Sequence, residues 1–185
     1  MRRMTVSGMV IIAASVVATV TAATAVAAPE FLSSVAGGAL TGKATETQVF
    51  TTNFGSMECA ALTASGTTPT PRSSELHVTQ TYGKCKAFGL TAIVTKALYL
   101  FLANGNIHVT KSYTITTTGC ILTIKAQTIR TVKYSNSGTE IVLTPELSGI
   151  AYEGTGTACS GSAKNGTLVG KSQIGVIGGT ISWMS

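Results

Sequence analysis

The chain contains no aspartate, and it carries only seven glutamates, two histidines and one tryptophan, Trp183. So few titratable groups leave little material for acid or base catalysis. A Gly-x-Ser-x-Gly elbow, which would expose a nucleophilic serine, is missing. The nearest serine in flavour, Ser160 in Cys159-Ser160-Gly161, follows a cysteine and reads as a turn residue. No Cys-x-x-Cys occurs, and successive cysteines are at least 26 positions apart, whereas a structural zinc site draws on closely spaced ligand pairs. Gly175, Gly178 and Gly179 are followed by no Lys-Ser/Thr and open no helix, which excludes a phosphate loop. No run of Lys or Arg reaches the density of a nucleic-acid patch; the closest, Lys84-Cys85-Lys86, reads as a solvated strand end. The sequence therefore assigns no catalytic, cofactor-binding or metal-ligating residue, no cofactor and no nucleic-acid partner.

Long apolar runs are also missing, except at the start. Arg2 and Arg3 precede an uncharged stretch from Met9 to Ala28 that is rich in Val, Ile and Ala and ends in small residues. That order is the pattern of a secretory signal peptide. A membrane span wants about 20 strongly apolar residues, and this stretch is diluted by Ser15, Thr19, Thr21 and Thr24. Small residues at Ala25 and Ala27 place the cut after Ala27, since cutting one residue later would set Pro29 directly behind it. The arginine pair alone is an ordinary positive start, so the expected route is general secretion to the cell envelope or the medium. No membrane span is expected after cleavage. Removing residues 1–27 leaves about 158, enough for one domain that buries roughly two thirds of its unfolded surface. It also leaves 11 of the 13 basic residues against seven carboxylates, a net charge of +4. Four cysteines remain, Cys59, Cys85, Cys120 and Cys159, an even number that in an exported chain reads as disulfides. Their count alone leaves the connectivity open.

Residues 28–44 hold Gly37-Gly38 and Gly42 without a clear period, and are expected to form an extended lead-in segment with little core. From 45 to 185 a single all-β domain is expected, because short blocks rich in Thr, Val, Ile, Tyr and Phe alternate with Gly, Asn, Ser and Pro. Candidate strands are 45–54, 57–64, 75–81, 90–95, 97–102, 107–117, 120–127, 130–135, 139–144, 147–152, 165–171 and 173–182. Residues Ile107 to Ile115 alternate apolar and polar, so one face is buried and one is wet. Ala97 to Leu102 is apolar on both faces and too short for a helix, which reads as a buried central strand. Asn104-Gly105 marks a hairpin between them, Asn136-Ser137-Gly138 marks a second, and Thr67 to Arg72 with Pro69 and Pro71 is a loop. The fold expected is an antiparallel β-sandwich or a partly closed barrel, disulfide-stapled. A membrane barrel is the rival, opposed by the short strands, the missing aromatic girdles and the cysteines.

The polar groups left to weigh are few. Glu75 and His77 share one face of a strand, a spacing that could hold a proton relay or a metal, or could be two solvent-facing residues opposite Leu76 and Val78. His108 falls on the wet face of its own strand. Nothing pairs Glu30, Glu46, Glu58, Glu75, Glu140, Glu146 and Glu153 into the two carboxylates of a glycosidase. Asn165-Gly166-Thr167 matches a glycosylation sequon and also a turn signal, and the turn is preferred.

Several segments resemble a family of exported all-β proteins of actinobacterial type that has no assigned activity. The residues that carry the likeness are Val49 to Gly55 with Cys59, Tyr82 to Gly89, Cys120 to Ile124 with Gln127, Val132 to Asn136, Leu147 to Tyr152, Cys159, and Asn165 to Gly170. The resemblance implies the same fold and compartment and implies nothing about catalysis. Relatives of this kind have two further cysteines, at the positions of Ala97 and Lys111. In a bulged hairpin Tyr99 faces Val109, Phe101 faces Ile107, and Ala97 faces Lys111. The resemblance then implies that one bond has been lost whole, and that the remaining cysteines pair as Cys59–Cys85 and Cys120–Cys159. The expected role is a non-enzymatic module binding a cell-envelope component or an extracellular ligand through loops such as 65–74 and 153–164. The alternatives are a secreted hydrolase assembled from Glu75, His77 and His108 only in the fold, and a secreted inhibitor or toxin.

Overall fold

Alternation of apolar and hydroxylated residues, broken by glycines, makes strands throughout the computed structural model, which describes residues 27–68 and 70–185. The signal peptide reading, 1–27, lies outside the described residues except for Ala27. The first half contains Glu30–Ser33 (β1), Ala39–Ala44 (β2), Gln48–Thr52 (β3), Gly55–Thr67 (β4), Arg72–Ser73 (β5), Glu75–Ala87 (β6), Leu90–Val94 (β7) and Ala97–Leu102 (β8). The second contains Asn106–Lys111 (β9), Tyr113–Thr117 (β10), Cys120–Ile124 (β11), Gln127–Arg130 (β12), Val132–Ser137 (β13), Glu140–Thr155 (β14), Gly161–Val169 (β15), Ser172–Val176 (β16) and Ile181–Met184 (β17). Every pairing is antiparallel.

The ladders settle sandwich against barrel. Strands β14, β15, β3, β4, β6, β7, β10 and β11 pair in that order, and β11 returns to β14, so eight strands close a circuit. Eight strands enclose a space that side chains fill, and Phe50, Met57, Ile115, Leu122, Ile124 and Tyr152 fill it here. Towards their other ends the long strands β4, β6 and β14 change partners. β4 takes β2, which pairs with β16 and so reaches β14, while β6 takes β8, followed by β9 and β12. At that end β12 forms no ladder with β14, so this half is closed only in part. A small sheet β17-β1-β5 packs there, with Phe31 edge-on to Tyr134 at 5.1 Å between ring centroids.

Buried positions change parity part-way along the long strands. On β14 they are Ile141, Leu143, Pro145 and Leu147, then Ile150 and Tyr152, with a register shift at Ser148-Gly149 between. One extra residue in a bulge re-aims every later side chain, so the same wall continues to face inward. On β6 the switch lies between Gln80 and Cys85, where Lys84 has φ +51°. These irregularities explain why simple alternation broke the reading there: 139–144 and 147–152 are one strand, and β4 and β6 outrun the expected 57–64 and 75–81. Conversely, 107–117 is interrupted at Ser112, and 173–182 is split by the turn before Ile181.

The lead-in segment is a correction. Residues 28–44 are extended, but β1 and β2 join the sheets and contribute Phe31 and Leu40, 2% and 3% exposed, to the core. Two apolar anchors were hidden by the surrounding glycines. The hairpin at Asn104-Gly105 adopts the expected bulged register, Tyr99 opposite Val109 and Phe101 opposite Ile107. The ladder then shifts by one, so Lys111 stands opposite Leu98 and not Ala97. Ala97 is fully buried and Lys111 is exposed, which removes the geometric basis for a lost bond between those positions. The two disulfides are Cys59–Cys85 and Cys120–Cys159, a pairing that suits an oxidising compartment.

Candidate functional site

Inside the wall, three phenols form a chain. Tyr82 donates to Gln80 Oε1 at 2.8 Å, its hydroxyl lies 3.2 Å from that of Tyr99, and Tyr99 donates to Tyr113 at 3.1 Å. Burial, helped by the neighbouring phenol Tyr113, holds Tyr82 and Tyr99 well above the ordinary tyrosine range, and burial pushes Tyr113 up to about 12. They stay protonated donors at neutral pH. The cavity beside Gln48, Gln80, Tyr82, Tyr99 and Ser172 is about 20 Å³, room for one water molecule. This part of the interior is thus filled by side chains.

Outside, the ladders lay down a cross-strand row of Thr67, His77, Leu100, His108 and Thr128, running from β4 to β12. His77 Nε2 lies 3.1 Å from Glu75 Oε1, and His108 Nδ1 lies 3.1 Å from Thr128 Oγ1. The two imidazoles stand on strands separated by β8, about 10 Å apart at the strand spacing of a sheet. A base oriented by a carboxylate is therefore on one strand, and a base beside a hydroxyl is two strands away. Glu75, His77 and His108 do not converge on one reacting centre. The four cysteines are spent in disulfides, and among the described residues no three His, Cys, Asp or Glu side chains gather as a metal site.

Next to His77 the same outer face is concave. A groove of about 420 Å³ runs over Gly66 and is lined by Ser65, Thr67, His77, Thr79, Leu98 and Thr110. Gly66 itself shares the core-facing parity of Leu62 and Ala64 and lets β4 approach β6 closely, because a Cβ there would come within 2.1 Å of the His77 carbonyl oxygen. Ser65, Thr79 and Leu98 form one cross-strand row, with the His77 row beside it, so the polar groups are set by register. Single-strand reading could mark these residues as wet; only the pairing of distant strands gathers them. Of the two loops expected to make contacts, 65–74 is partly strand: residues 65–67 end β4 and border this groove, and Arg72–Ser73 forms β5. The second, 153–164, holds the β14–β15 turn, tied down by Cys159.

Asn165 is a further correction. It lies within β15 and not in a turn; its side chain accepts from the Tyr152 hydroxyl at 3.0 Å and bonds to Asn53, while Asn53 N–H donates to the same hydroxyl at 2.8 Å. Gly166 is tightly packed, since a Cβ would lie 3.0 Å from the Ile150 carbonyl oxygen and 3.1 Å from the Phe50 ring. Comparison with protein-family models, curated proteins and solved structures finds no match for this chain.

Proposed function

We propose that the chain is an exported, non-enzymatic β-domain that binds a hydroxyl-rich component of the cell envelope or of the surrounding medium. The groove over Gly66 carries this reading. Its Ser and Thr hydroxyls and the His77 imidazole can each donate or accept, which is what sugar hydroxyls need, and Leu98 offers an apolar contact for the C–H face of a ring. Export rests on the leader pattern at Arg2 to Ala27 and on the two disulfides, which persist in oxidising compartments. Calorimetric titration of the mature chain with soluble envelope glycans tests it. At least one glycan should bind, and His77→Ala with Thr79→Val should weaken it about ten-fold, the worth of two hydrogen bonds. Absence of binding to every glycan, or binding indifferent to both substitutions, refutes the groove as the site.

A further inference from the structure

Glu30, Glu46, Glu75, Glu146 and Glu153 each lie within 3.1 Å of Arg72, Lys171, His77, Lys133 and Lys125 respectively. Among the described residues Lys43, Lys84, Lys86, Lys96, Lys111, Arg130 and Lys164 form no ion pair, and all seven are exposed. Three of them, Lys84, Lys86 and Lys96, adjoin β7. Lys84 and Lys86 flank Cys85 on β6, and Lys96 lies where β7 runs into β8. The only carboxylate facing them from the neighbouring strand is Glu58, opposite Lys86.

β7 itself holds the most exposed large apolar residue, Ile93, at 71%. Cys85 pairs with Ala92, so Ile93 stands next to the Lys84–Lys86 stretch. Thr116 of β10 pairs with Ile93 on one edge and with Ile121 on the other, which puts the two isoleucines in one cross-strand row. Ile121 is 43% exposed. Exposed isoleucines in a row are costly in water and gain nothing from a soluble polyanion, whereas an anionic bilayer offers headgroups to the lysines and acyl chains to the isoleucines.

We infer that the wall formed by β6, β7, β10 and β11 docks on an anionic lipid surface, with Ile93 and Ile121 entering the headgroup boundary and Lys84, Lys86 and Lys96 meeting the phosphates. The strands lie on the bilayer and do not cross it. Docking holds the domain at the membrane while leaving Gly66 and His77 free, so it stands independently of the glycan reading.

Co-sedimentation of the mature chain with vesicles tests the inference. Vesicles of roughly equal phosphatidylglycerol and phosphatidylcholine should capture the protein at low salt and release it at high salt, and pure phosphatidylcholine should not capture it. Each of Lys84→Gln and Lys96→Gln should lower the partition about five-fold. Ile93→Ser with Ile121→Ser should lower it about ten-fold with unchanged thermal unfolding, because both side chains are exposed. His77→Ala should leave it unchanged, which separates this result from failure of the glycan site. Failure to bind the anionic vesicles overturns the inference. So does capture that ignores the isoleucine substitutions, or equal competition by soluble polyphosphate, since either outcome describes a polyanion site and not a lipid one.

Discussion

The hydroxyl of Tyr99 joins those of Tyr82 and Tyr113, and all three phenols lie in the core region where water cannot replace a lost partner. Each has its folded pKa raised above the ordinary 10.0, principally by burial, as does Tyr134. A phenol that ionises later in the folded chain than in the unfolded one binds more protons when folded. Its contribution to stability is therefore fully present below pH 10 and is lost as pH rises through the folded value, about 12 for Tyr113. The guanidinium midpoint for unfolding should stay level from neutral pH to about pH 9.5 and fall steeply above pH 10. A midpoint unchanged at about pH 11.5 would contradict this. None of these partnerships is legible residue by residue: Tyr82, Tyr99 and Tyr113 sit on three different strands, and only the β6–β8 ladder and the crossing at Ser112 bring them together. The turn reading of Asn165 fails for a related reason, because Asn-Gly favours a turn locally while pairing with β14 and β3, the latter more than 100 residues earlier, holds it inside a strand.

At the level of elements, pairings set by a local turn were readable and bulges within long strands were not. The β8–β9 hairpin follows the reading down to the bulged pairing of Tyr99 with Val109, because turn chemistry at Asn104-Gly105 and apolar matching act over a few residues, but β8 is not buried on both faces as expected: Leu98 is 38% exposed on its outer face. β14 was read as two strands, since Pro145 and the Ser148-Gly149 bulge look like ends when no partner is in view. The open seam is another non-local feature. There Gln127 replaces a ladder: its Nε2 donates to the Ala151 carbonyl at 2.9 Å and its Oε1 accepts from the Ala151 N–H at 2.7 Å. One side chain thereby fastens β12 to β14. Gln127→Ala leaves both backbone groups of Ala151 without that partner and should cost about 1–3 kcal/mol. Amide exchange at Ala151 should accelerate by more than the global loss of stability accounts for. If exchange there follows only the global change, the seam is held by something other than Gln127.

Across the whole molecule, the hairpin turns that join β3 to β4, β6 to β7, β10 to β11 and β14 to β15 all belong to the closed eight-stranded circuit, and both disulfides lie among those strands. Their contributions should differ in kind although their loops are similar in length. By loop-closure entropy, bridging 26 residues with Cys59–Cys85 stabilises by about 3.5 kcal/mol and bridging 39 with Cys120–Cys159 by about 4 kcal/mol. Cys59 and Cys85 are already opposite each other in the β4–β6 ladder, so the folded geometry there persists without the bond. Cys159 instead lies in the β14–β15 connection, outside any ladder, and its bond to the start of β11 is what covalently fixes that turn. Cys59→Ala with Cys85→Ala should lower the melting temperature by about 10 °C while amide protection near Cys159 falls no more than elsewhere. Cys120→Ala with Cys159→Ala should lower it by a similar amount and, in addition, raise exchange and proteolytic nicking at Gly156 to Ser160 beyond what the global loss explains. Equal local protection in the two double variants would mean that the β14–β15 turn is held by its backbone bond from Ala158 N–H to the Gly119 carbonyl, and not by the disulfide.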